Sequence, residues 1–209
     1  LGLPWVADFF AANPGLGISP TELFPLFIGY VVIFEAPLLG GVMIAFILLD
    51  ERDDRTLEAL LVTPVPTSYY LTYLLLVAIA LGAFLLLVNY NIVEQAMVTF
   101  WQLLPIVAVA SLMGGLSELF LATFAADKVE GFAQVKIIGT SGLLLLAAWF
   151  VPMPWQLLFG LYPPYWGVKA YWLAQAGDPS WWLALLLGAV FMLASLAYLI
   201  RRFSRVVHG

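Results

Sequence analysis

Four stretches of this sequence, 69–93, 95–117, 137–168 and 179–200, hold no charged residue, and a fifth, 23–49, holds only Glu35. All five reach or exceed the roughly 20 residues that a helix needs to cross about 30 Å of hydrocarbon. A transmembrane barrel would instead show segments of about ten residues with alternating polarity, and these runs are continuous. They leave no length for a separate soluble domain. The composition agrees, at 64% hydrophobic and 10% charged residues. The sequence therefore predicts an all-α integral membrane protein, a polytopic bundle forming one transmembrane domain over 1–209. Its spans are expected near 23–49, 69–90, 101–126, 134–151 and 181–200.

Cations orient such a bundle, because short loops rich in Lys and Arg stay in the cytoplasm. Arg52 and Arg55 follow the first span, Lys128 and Lys136 flank the turn after the third, and Arg201, Arg202 and Arg205 follow the fifth. If every span crosses once, these three places share one side and only Lys169 lies on the other. The reading puts 1–22 outside, 50–68 and the C-terminus in the cytoplasm, and 152–180 outside. Five crossings with an external start also lead us to expect that a first span precedes this stretch of chain.

Several chemistries have no residues to perform them. There is no cysteine for a disulfide, thiol nucleophile or thiolate metal site, and the single histidine, His208, lies in the basic tail. No glycine-rich loop ending in Lys-Ser/Thr is present to cradle a nucleotide. Neither a metal, a cofactor within this chain, a catalytic residue nor a nucleic-acid partner is expected.

The densest charge sits in "DERDDRTLEALLVTP", residues 50–64. Leu57, Leu60 and Leu61 recur at helical spacing while Arg55, Thr56 and Glu58 point elsewhere. We expect a short amphipathic helix at the membrane surface, with acids at its start, a Glu51 to Arg55 pair at i,i+4, and Pro64 biasing Thr63 out of helix. Physics alone leaves two readings, a polar connector or a docking element.

The residue order adds to this. The segment resembles that of type II ABC exporter permeases, which reads Glu-Arg-x-x-Gly-Thr-Leu-Glu-x-Leu-x-x-Thr-Pro. Glu51, Arg52, Thr56, Leu57, Glu58, Leu60, Thr63 and Pro64 match, and Arg55 stands at the usual glycine. A narrower resemblance, from about Thr21 onward, is to bacterial permeases described as fluoroquinolone exporters, through this segment, "DKVEGFAQVK" and "PPYW". It implies six spans, a dimer of permease chains, and a separate ATPase subunit that binds ATP and Mg and docks on the charged helix. Glu51, Arg52, Asp54, Arg55, Thr56, Leu57, Glu58, Leu60, Leu61, Thr63 and Pro64 would then form the coupling surface. The loop with Asp127, Lys128 and Glu130 would add ATPase contacts or anchor two helix ends, with Gly131 allowing a tight reversal.

Glu35 and Glu118 are the acids within predicted spans, where an ionised group costs a few kcal/mol and usually faces the bundle or a cavity. Pro37 is expected to break the helix beside Glu35, so that the acid either lines a translocation path or satisfies a freed carbonyl. Glu118 follows Ala110 and Gly114 on a small-residue face and should point at protein, with a hydrogen bond across the interface as the structural reading. On the outer side, Trp155, Tyr162, Tyr165, Trp166, Tyr171, Trp172, Trp181 and Trp182 suit the headgroup region. The resemblance implies re-entrant helices there.

Together these readings predict a permease subunit of an ATP-driven exporter in the bacterial cytoplasmic membrane, in contact with lipid and moving a hydrophobic or amphipathic molecule such as a drug. The competing reading is a proton-coupled secondary transporter that uses Glu35 or Glu118.

Overall fold

The computed structural model describes residues 20–54, 67–92 and 98–208, and every regular element among them is helical. In chain order these are α1 (Pro20–Phe27), a π-helical segment (Ile28–Glu35), α2 (Ala36–Asp53), α3 (Thr67–Ile92), α4 (Phe100–Ala110) and α5 (Leu112–Phe124). There follow α6 (Lys128–Ser141), α7 (Leu143–Phe150), a 3-10 segment (Trp155–Leu161), α8 (Pro164–Gln175) and α9 (Trp181–His208). Five helices are long and apolar enough to cross a membrane: Leu23–Asp53, Tyr69–Asn91, Phe100–Phe124, Lys128–Phe150 and Trp181–Phe203. All five expected spans are present, and the protein is a polytopic helical membrane protein.

The centre is a three-helix contact of α2, α3 and α5, with α9 packed on α5 and α8 packed on both α9 and the π segment. Lipid tails are as apolar as leucine, so helix association there depends on close packing between small residues. A Cβ at Gly40 would stand 2.7 Å from the Gly82 nitrogen, one at Gly114 2.5 Å from the Ala78 carbonyl oxygen, and one at Gly41 would overlap the Gly114 carbonyl. The backbones thus meet directly. Ser117 completes the contact by donating its hydroxyl to Leu38 O at 3.1 Å and Gly114 O at 3.0 Å.

Pro37 does not break the first helix as expected. The 31-residue span continues through it, and the distortion is displaced upstream into a π-helical stretch in which Ala36 donates to Val31, five residues back. A widened turn accommodates a proline that has no N–H to give and whose ring crowds the carbonyl four residues earlier.

Two boundaries move. The first span runs on to Asp53, so Asp50, Glu51 and Asp53 lie in the last turn of α2 instead of opening a surface helix. The fourth begins at Lys128, so most of "ADKVEGFAQVK" is helix. The reversal falls at 125–127, and Gly131 serves another purpose: it is buried inside α6, where a Cβ would meet Leu49 at 2.8 Å.

The segment after α7 returns into the bundle. Tyr165 and Tyr171 are wholly buried and Trp172 is 5% exposed, its indole donating to Pro25 O at 3.0 Å. These three belong to the protein core and not to the headgroup belt, because α8 packs between the π segment and α9. Trp155 and Trp182 are exposed, as belt residues should be. At the end of α8, Asp178 N–H reaches Leu173 O and Gly177 N–H reaches Ala174 O, with Gly177 at a φ of 71°. That left-handed turn closes the helix. Asp178 then accepts from Ser180 N and Oγ at 2.8 and 2.7 Å, which hold its carboxyl below the usual carboxylate range.

Candidate functional site

A helix ends with carbonyls that have no intrahelical partner and with a partial negative charge. At the C-terminus of α5 those carbonyls are taken by side chains from two other helices. Arg52, in the last turn of α2, donates Nη1 to Ala125 O and Nη2 to Ala122 O, both at 2.9 Å. Gln134 of α6 donates to Phe124 O at 2.5 Å. From α9, the Arg202 guanidinium lies 4.7 Å from the centre of the Phe124 ring, a distance at which the cation and the ring face attract.

The acids of α2 are held in the same place. Asp50 pairs with Lys128 at the start of α6, and Glu51 accepts from the Tyr70 hydroxyl in the first turns of α3. Carboxylates at a helix C-terminus face an unfavourable dipole, and these two partners offset it. Asp127 caps α6 by accepting from Glu130 N at 2.8 Å, while the Glu130 carboxylate accepts from Ala126 N at 2.8 Å. The first bond is an N-cap, and the second reaches back to the residue before it, so both free N–H groups at the start of α6 are satisfied. Asp54 is exposed beyond the last turn.

Arg52, Lys128 and Arg202 therefore lie at one end of the bundle, as their positions between spans required. Every described span has a helix end tied into this network. Arg55, Thr56, Leu57, Glu58, Leu60, Leu61, Thr63 and Pro64 lie outside the described residues. α2 ends and α3 begins at this end of the bundle. The opposite end carries Lys169, which donates to Gln156 Oε1 at 2.6 Å, while Gln156 donates to Ala148 O at 2.7 Å.

Of the acids within spans, Glu118 is 1% exposed and its Oε2 has no hydrogen-bond partner. It points at protein as its small-residue face required, but this oxygen does not make the expected bond across the interface. Glu35 is half-buried, and its side chain lies near that of Tyr30. Tyr30 is five residues back, and five residues share a face only when the helix is wound wider than α. Pro37 is buried beneath Gly82, against which it packs. Tyr162 is within electrostatic reach of Glu35 and Tyr30, and its hydroxyl lies 2.8 Å from Ser141 Oγ. Sequence reasoning did not place Tyr30 and Tyr162 near Glu35, because their meeting depends on the π winding and on the return of the chain after α7.

Five long apolar helices around a glycine-mediated centre, with charge gathered at one end, define a multi-pass helical membrane protein. Over residues 1–200 the chain matches the family described as fluoroquinolones export permease protein Rv2686c-like, and it belongs to that family. It is similar to the fluoroquinolones export permease proteins Rv2686c and MT2760 of Mycobacterium tuberculosis, strains ATCC 25618 / H37Rv and CDC 1551 / Oshkosh. Identity to each is 34% over 192 residues, covering 90% of this chain and 75% of the relative. No solved structure matches it.

Proposed function

We propose that this chain is the membrane subunit of an ATP-driven exporter. It crosses the bacterial cytoplasmic membrane with its C-terminus inside, pairs with a second permease chain, and docks a separate ATPase subunit that binds ATP and Mg. It is a transport subunit and not itself the enzyme. The cargo is a hydrophobic or amphipathic small molecule, a class that includes the compounds in the relatives' names.

The observation that carries this reading is the double hydrogen bond from Arg52 to Ala122 and Ala125. Arg52 lies near the start of the charged segment, so a force applied at that position by a soluble partner reaches the end of α5 through these two bonds. From α5 it reaches the centre of the bundle, since α5 packs on α2, α3 and α9. A secondary transporter has no need to clamp a charged surface segment to its central helix. The cations at this end favour the cytoplasmic side.

The test is co-purification with an ATP-binding-cassette ATPase expressed from the same locus. Asp54 is exposed and Glu58 follows in the charged segment, so Asp54→Lys with Glu58→Lys should abolish capture of the ATPase while the permease remains inserted and folded. Capture that is unchanged in the double variant would remove the docking assignment.

A further inference from the structure

Midway along the first span, residues from three parts of the chain meet at the rings of Tyr30 and Phe34, beside Glu35. Glu35 lies about 22 Å along the helix from Asp50, at 1.5 Å per residue. Ser141 likewise falls within the fourth span, between Lys128 and Phe150. Tyr162, bonded to Ser141, is brought to this depth by the return of the chain after α7. The rings of Tyr30 and Phe34 stand 6.0 Å apart, and those of Phe34 and Tyr162 6.2 Å apart. Gly142 leaves room for them: a Cβ there would meet Tyr30 at 2.8 Å and would also strike Phe34.

We propose that this cluster is a subsite for the protonated amine of an amphipathic cargo, a proposal that rests on the export reading above. A carboxylate at membrane depth is costly and persists where it has a task or a partner. Among the described residues Glu35 makes no ion pair, and Lys169 is engaged by Gln156. The carboxylate is only half-buried, so it can be reached. The Tyr30 phenol lies near it, and the Tyr30, Phe34 and Tyr162 rings cluster next to it; a carboxylate and ring faces together favour an alkylammonium. A neutral or anionic cargo gains nothing from the carboxylate. The rings would hold the apolar part next to the charge, while the Ser141 bond fixes the orientation of Tyr162.

The experiment uses the purified chain in nanodiscs, without ATPase or ATP. Two probes are compared, a dansyl fluorophore carrying a primary alkylamine and the same molecule N-acetylated to remove the charge. Wild type should bind the amine about ten- to a hundredfold more tightly than the amide, the range for a hydrogen bond to a charged group. Glu35→Gln should remove that preference by weakening the amine alone. Glu35→Asp, which keeps the charge but withdraws it by one methylene, should reduce the preference without abolishing it, and carries the test if the glutamine variant does not fold. Equal binding of the two probes by wild type, or a preference untouched by both substitutions, overturns the proposal. A charge preference that persists in a chain unable to export with ATP would strike at the exporter reading and leave the subsite standing.

Discussion

Arg52 shows how a single residue can be read from sequence as one thing and serve as another. Its place in a matching motif marked it as a surface contact for a partner, yet its guanidinium is spent on two carbonyls of α5. Nothing in local spacing could reveal this, since the acceptors lie 70 and 73 positions away. The fork geometry of arginine suits two acceptors at once, and lysine supplies only a point charge. Arg52→Ala should therefore lower stability by about 1–3 kcal/mol, because the last carbonyls of α5 lose a charged donor. Arg52→Lys should recover less than half of that loss. Thermal unfolding of the detergent-purified variants measures both, and an alanine variant as stable as wild type would show that the clamp is not needed for the fold. Glu35 and Glu118 were legible as unusual acids, because a charge inside an apolar run is visible in any sequence. Their surroundings were not, for Tyr162 reaches Glu35 only through tertiary structure.

At the level of the helix, apolar run length gave the number and order of the spans, and charge gave the end where Arg52, Lys128 and Arg202 gather. Two ends were misplaced for one physical reason. A helix does not stop where hydropathy falls, and α2 continues through Asp50–Asp53 while α6 starts at Lys128, each held by capping and ion pairing with the other. The glycines carry the tertiary information that hydropathy lacks, and they predict a contrast between two substitutions of the same kind. Gly41→Ala places a Cβ against the Gly114 carbonyl and the Ser117 hydroxyl, and should cost about 1–3 kcal/mol through overpacking. Gly139→Ala, also within a helix, meets nothing within 4 Å and should be neutral or stabilising by up to about 1 kcal/mol. Melting temperatures of the two variants should differ in that order. Equal values would mean that α2 and α5 do not approach as closely as described.

For the whole molecule, a glycine-packed centre is joined to a charged end, where the proposed export function places the energy input. The rival arrangement would run on protons through the acids within the spans, so the two differ in what drives the cargo. The decisive measurement is transport of a fluorescent lipophilic amine into inside-out proteoliposomes that contain the chain and the proposed ATPase, with a protonophore present to remove any pH gradient. Uptake should require ATP, persist with the protonophore, and fall at least tenfold in the Asp54→Lys, Glu58→Lys double variant. Uptake that ignores ATP, follows an imposed proton gradient and is lost with the protonophore would contradict the account.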